Sequence, residues 1–226
     1  MTTFNSLQNK IIACTQCPRL VKWRKEVAAT KVRRFSQEHY WGKPVPGFGD
    51  PKAEIVLVGL APAAHGANRT GRMFTGDESG NWLYRALYKA GLSNKDVSVS
   101  CDDGLILKNV YITASCRCAP PQNKPSNKEI QNCRPFIVEE FRLLKNLRVI
   151  IGLGKIGFDT AFDVAKHSEL TELQHRPKFS HGVIVHLNKK LILIGSYHPS
   201  QQNTFTGKLT EPMFNSIFQS AKSYLK

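Results

Sequence analysis

Four short apolar blocks restrict what core this chain can build. They are Glu54-Ile55-Val56-Leu57-Val58-Gly59-Leu60, Val110-Tyr111-Ile112-Thr113, Arg148-Val149-Ile150-Ile151-Gly152-Leu153-Gly154 and Leu191-Ile192-Leu193-Ile194. All are rich in β-branched residues, and none alternates polar with apolar. Runs of that kind are strands covered on both faces. Helical segments separate them. Gly80 to Gly91 turns Trp82, Leu83, Ala86 and Leu87 inward. Asn127 to Leu147 reads as a long helix, with Asn127 as its cap and Pro125 just outside. Further helices are expected from Lys155 to about Ala165 and from Glu211 to Leu225. Strands alternating with helices imply the α/β class, a mostly parallel sheet covered on both faces. Val183-Ile184-Val185-His186 faces the last block across a turn at Asn188-Lys189-Lys190, so a late hairpin would make the sheet mixed. The first fifty residues lack such a pattern and are expected to be irregular. With 226 residues, the chain is read as one domain.

Hydrophobic residues make up 41% of the chain, enough to bury a core and exclude wholesale disorder. No apolar run approaches a membrane span, and the start, Met1-Thr2-Thr3-Phe4-Asn5, lacks a secretory pattern. A soluble, cytoplasmic protein is therefore expected. Thirty-two Lys and Arg against 17 Asp and Glu leave a net charge of +15. A surplus that large favours a polyanionic partner, because each phosphate contact releases counterions.

Six cysteines occur, at 14, 17, 101, 116, 118 and 133. A reducing compartment would keep them as thiols, and clustered thiols there point to metal or catalysis. Cys14-Thr15-Gln16-Cys17 brings two thiolates toward one centre, and a distant segment holding Cys116, Cys118 and Cys133 must supply the rest. Four thiolates suit zinc or an iron–sulfur cluster equally well on spacing alone. Cys101 has no partner at ligand spacing. Three prolines in Cys118-Ala119-Pro120-Pro121-Gln122-Asn123-Lys124-Pro125 make that loop rigid.

Ligands of doubly wound sheets bind just past the carboxyl ends of strands. The first block runs there into a small-residue segment, Gly59-Leu60-Ala61-Pro62-Ala63-Ala64-His65-Gly66, and on through Gly71-Arg72-Met73-Phe74-Thr75-Gly76-Asp77. It is neither a dinucleotide fingerprint nor a phosphate loop. Asp77 is a candidate carboxylate, although it stands equally well at the start of the next helix. The last block ends in Tyr197-His198-Pro199-Ser200, which places His198 at the same sheet edge.

Taken together these residues resemble the uracil-DNA glycosylase superfamily, specifically family 5 (type b), whose members carry an iron–sulfur cluster. The resemblance rests on Cys14-x-x-Cys17, on Gly59-Leu60-Ala61-Pro62 through Asp77, on Cys118-Ala119-Pro120-Pro121 through Cys133, and on His198-Pro199-Ser200. Only Ala63 and Met73 depart from the expected glycine and proline. The resemblance implies a three-layer α/β/α domain. It assigns Cys14, Cys17, Cys118 and Cys133 to a structural [4Fe-4S] cluster that ties residues 1–50 to the core, and leaves Cys116 free.

The implied activity is removal of uracil from DNA, and of further deaminated bases such as hypoxanthine or xanthine, leaving an abasic site. By resemblance His198 donates to the departing base, backbone N–H groups around Leu60 and Ala61 add to that stabilisation, Asn123 contacts base or water, and Phe74 stacks on the flipped base, with Gly59 completing the base-binding set. The family pattern puts Ala61 where better-known relatives hold a water-positioning aspartate, so Asp77 is the carboxylate expected to act. Arg69, Arg72, Lys124, Ser200 and Lys208 are the expected DNA contacts, with the segment from Ser200 to Thr210 entering the groove. A monomer is expected. The competing reading is a non-catalytic nucleic-acid-binding protein with a structural four-cysteine zinc site, which leaves the strand-end motifs without a role.

Overall fold

The structure, a computed structural model, describes residues 2–225. Six strands form one sheet in the order β1-β3-β2-β4-β6-β5. The central four, β2 (Ile55–Gly59), β3 (Val110–Ala114), β4 (Val149–Leu153) and β6 (Ile192–Ser196), are parallel and fully buried. Their register runs Val110, Ile55, Val149, Ile192 across the sheet. The edges are antiparallel: β1 (Phe48–Gly49) on β3, and β5 (Ile184–His186) on β6. The sheet is thus mixed at both edges. The late hairpin was legible in the sequence; two-residue β1 was not.

Side chains of alternate residues leave opposite faces of a strand, so each strand feeds two cores. Ile55, Leu57, Ile112, Ile151 and Ile194 pack with Leu83, Leu87, Phe214 and Phe218, from α4 (Glu78–Lys89) and α8 (Glu211–Ser223). Val56, Val58, Ile150 and Leu193 pack with Ile137, Phe141, Phe158 and Phe162, from α5 (Asn127–Leu143) and α6 (Gly154–His167). Three layers result, as expected. α3 (Ala67–Thr70) and α7 (Gln201–Phe205) are single turns in the loops beyond β2 and β6.

Three expectations need correction. The first fifty residues are not irregular, since α1 (Phe4–Ile12) and α2 (Pro18–Thr30) lie there. Thr3 caps α1 reciprocally with Ser6, and Pro18 opens α2 at its first position. Ser126, not Asn127, caps α5, in a capping box with Glu129. That helix stops at Leu143 rather than Leu147. Among the described residues no helix is long and apolar enough to cross a membrane.

Candidate active site

A cavity of about 290 Å³ opens beyond the carboxyl ends of β2, β3 and β6. With the parallel strands ordered β3-β2-β4-β6, chain connections diverge beside β2, so a crevice forms at that edge. Leu60, Ala61, Pro62 and Ala63 line it from beyond β2, Ala114 from the end of β3, and His198 and Ser200 from beyond β6. Phe74, Asp77 and Asn123 reach it from loops. Every residue expected to be catalytic therefore meets in one cavity.

His198 stands beside Gly154, at the end of β4. Desolvation lowers its pKa to about 4, so the ring is neutral at pH 7. Asn203 Nδ2 donates to the His198 carbonyl at 2.9 Å and fixes the backbone beneath it. The Phe74 ring stacks on the imidazole, with centroids 5.8 Å apart and planes 30° apart. Gly59, which does not itself line the cavity, lies against Phe74: a Cβ there would come within 3.1 Å of that ring. Phe74 holds φ at +55°, and Gln122 and Asn123 hold +54° and +56°. Left-handed backbone is costly for non-glycine residues, and such strain collects at functional sites.

Asp77 is both a helix cap and a cavity residue. Its Oδ1 accepts from the Gly80 N–H at 2.9 Å, capping α4. Its Oδ2 lies against Gly66, where a Cβ would sit 2.1 Å away, so glycine is required there. Burial raises the Asp77 pKa, while the N–H groups of Gly80 and Ser79 and the charge of Arg69 oppose that rise. The two readings of Asp77 left open by sequence are thus compatible.

Two of the expected DNA contacts, Arg69 and Arg72, are buried and engaged within the protein. Arg69 is 8% exposed; it pairs with Glu38, donates to the His65 and Gly76 carbonyls, and lies 3.8 Å over the Phe35 ring. Arg72 is 4% exposed; it pairs with Asp103 at 2.6 Å and donates to Thr75, Ser98 and the Cys101 carbonyl. Their donors are spent inside the protein, where they shape the loop that carries Phe74. Lys124 and Lys208 are exposed, the latter with Nζ 5.0 Å from the Tyr197 ring centre, and Ser200 is half-buried at the cavity. Sequence reasoning missed Met73, Ala67 and Ser79, which also line the cavity. It also missed Phe205, 76% exposed on α7.

Cys14 and Cys17 lie between α1 and α2, Cys116 and Cys118 follow β3, and Cys133 lies within α5. Cys17 caps α2, Cys133 lies within α5, and Arg19 ties the two helices through a bidentate pair with Glu129, at 2.8 and 2.6 Å. None forms a disulfide. Burial pushes the Cys118 thiol up to about 12, opposed by Arg24 and reinforced by Cys133, Cys14 and Cys17. Cys118 thus feels all three of its expected partners. Interaction between Cys116 and Cys133 lowers the Cys133 pKa and raises that of Cys116. Asn132 Nδ2 donates to Cys17 Sγ at 3.4 Å. Buried donors without an acceptor also sit nearby in the chain: Trp23 Nε1, Arg24 Nε, and Arg117 Nε and Nη1. An anionic group among the thiolates would satisfy such donors. Among the described residues, no three or more His, Cys, Asp or Glu side chains converge tightly enough to hold one metal ion.

The fold and this cavity describe a strand-end site for a small planar ligand in a strongly basic protein. The family model of the uracil DNA glycosylase superfamily matches residues 46–222, and the chain belongs to that superfamily. Its relatives include the type-5 uracil-DNA glycosylase of Mycobacterium tuberculosis, 50% identical over 213 residues, covering 94% of this chain and 78% of that protein. The type-5 uracil-DNA glycosylase of Thermus thermophilus is 49% identical over 212 residues, covering 94% of each. A type-4 uracil-DNA glycosylase of Archaeoglobus fulgidus is 31% identical over 157 residues, covering 69% of this chain and 70% of that protein. The family 5 resemblance is borne out.

Proposed function

We propose that this protein hydrolyses the N-glycosidic bond of uracil in DNA and leaves an abasic site. The observation that carries the reading is the convergence of neutral His198, Asp77, Asn123 and Phe74 in one strand-end cavity. The base must leave the stack to reach it, at a cost of a few kcal/mol. Phe74, already stacked on His198, offers its ring to the extruded base. As the bond between sugar carbon and base nitrogen breaks, its electron pair passes to the base and charge develops on the uracil O2. A neutral imidazole N–H aimed there stabilises that charge as an oxyanion-hole donor does. A carboxylate at Asp77 favours the cationic sugar and orients water. The water oxygen joins the sugar carbon, and its proton balances the departing base.

The cavity walls are largely small and apolar: Leu60, Ala61, Ala63, Ala67, Met73 and Ala114. Discrimination between bases depends on polar groups left unpaired by the wrong one. Few such groups line the cavity, which supports release of hypoxanthine or xanthine as well. Lys124, Lys208 and Ser200 border the DNA, and α7 enters the groove with Phe205 foremost.

Cys14, Cys17, Cys118 and Cys133 would hold a [4Fe-4S] cluster. When bound it supplies structure, joining α2 to α5, and takes no part at the cavity.

A labelled duplex with one uracil, treated with the protein and then alkali, tests the reading. Strand cleavage at the uracil is expected. An uncut strand after incubation with folded, iron-loaded protein would overturn it.

A further inference from the structure

The amino edge of the sheet, opposite the candidate active site, carries a row of cations. Lys52, Arg148 and Lys190 stand just before β2, β4 and β6, which are neighbours in the sheet. With Lys145 they line a groove of about 430 Å³. A second groove of about 350 Å³ adjoins it, sharing Lys145, Leu147 and Lys190 and adding Arg142. The three lysines are exposed and Arg148 is half-buried. Among the described residues none of these lysines has an ion-pair partner. Among the same residues Glu54 is the only acid lining either groove, and it is engaged. It accepts from Asn109 Nδ2 at 2.8 Å and faces Arg148 Nε at 3.8 Å.

The backbone under these cations is cross-tied. Asn146 Nδ2 donates to the Lys52 carbonyl at 3.2 Å, the Arg148 N–H donates to the Glu54 carbonyl at 2.9 Å, and the Lys190 N–H donates to Asn188 Oδ1 at 2.8 Å. The row is therefore fixed on three strand starts, with about 5 Å from one strand to the next. Like charges held so close repel one another. A run of phosphates turns that repulsion into attraction and releases counterions. β2, β4 and β6 have five residues each, which makes the sheet about 16 Å deep from edge to edge. A stiff duplex seated at the carboxyl edge lies on the far side and does not reach this row.

We propose that the amino edge binds the phosphate backbone of a second DNA segment, so that one molecule bridges two duplexes. The proposal goes beyond the glycosylase reading and takes from it only that a first duplex lies at the cavity. A continuous row of cations across adjoining open grooves matches a repeating phosphate backbone better than it matches a single acidic side chain. Contacts to phosphate carry no sequence information, so this surface holds any sequence. It lets the protein engage a new segment before it leaves the old one.

Uracil-free duplexes carrying donor or acceptor dyes, mixed with the full-length protein, test this. Energy transfer is expected, with sedimentation giving one protein per two duplexes. The combined changes Lys52→Glu, Lys145→Glu and Lys190→Glu are expected to abolish transfer, while single-turnover uracil release stays at the wild-type rate. Should the charge reversals fail to fold, Lys52→Gln, Lys145→Gln and Lys190→Gln together are expected to lower the salt slope of the second binding step by about 3. Unchanged transfer in the variants, a limit of one duplex per wild-type protein, or bridging only by paired protein copies would overturn the proposal. So would a second step that takes a polyglutamate peptide in place of duplex, which would make the partner an acidic protein. Bridging by a wild type that leaves uracil strands uncut would support the proposal and defeat the glycosylase reading.

Discussion

A histidine in an unfolded chain titrates near 6.5, and His198 in the folded protein near 4. Protonation therefore favours unfolding. The stability that follows from this shift is complete above about pH 6.5 and is lost as the pH falls through 4. Urea melts between pH 7 and pH 4 should show this loss, and His198→Gln should reduce it; an identical pH slope in the variant would contradict the burial argument. His65 and His181, also lowered by burial, leave part of the slope in place. Asp77 offers a cleaner separation of roles. Asn caps a helix about as well as Asp, so Asp77→Asn should melt within about 0.5 kcal/mol of wild type. Its single-turnover rate should nevertheless fall tenfold or more, and an unchanged rate would remove the carboxylate from the chemistry. The candidate catalytic residues were readable because each follows a strand or its loop at the ligand-binding edge. The internal ion pairs of Arg69 and Arg72 were not readable because their partners, Glu38 and Asp103, lie 31 residues away in the chain. Sequence spacing says nothing of such pairs.

The loop between β2 and α4 is held from within. Burial pushes the Asp103 carboxyl up, but Arg72 and the N–H groups of Leu105 and Val99 overcome it and bring it to about 2. Arg72→Ala removes the ion-pair partner of a carboxylate that is only 8% exposed in the native structure. A loss of about 3–5 kcal/mol is expected in denaturant melts. A variant of full stability but weaker DNA affinity would restore Arg72 as a phosphate contact. The sheet was legible because fully buried parallel strands leave continuous apolar runs. The N-terminal helices were not. α1 and α2 bury few residues each, among them Arg24, whose partners are the Gly42 and Cys14 carbonyls. Such helices are specified by long-range contacts more than by their own pattern.

For the molecule as a whole, a charge of +15 with Arg69 and Arg72 buried and ion-paired leaves Lys124 and Lys208 as the exposed contacts named beside the cavity. Affinity for duplex DNA should fall linearly with salt on logarithmic axes. Lys124→Ala and Lys208→Ala should each reduce that slope by about 1, across sequences alike. A slope unmoved by both changes would place the DNA elsewhere on the surface. Fold class and cavity edge were readable from order along the chain, whereas the charge pairs that engage Arg69 and Arg72 required the folded arrangement.

The decisive comparison is the single-turnover rate of wild type and His198→Ala at pH 7.5, on a duplex with one uracil, with affinity for that duplex measured alongside. Loss of one oxyanion donor is predicted to slow base release by about a hundredfold or more, with Kd nearly unchanged. Release at the wild-type rate by the variant would contradict the assignment of His198 as the group that stabilises the departing base.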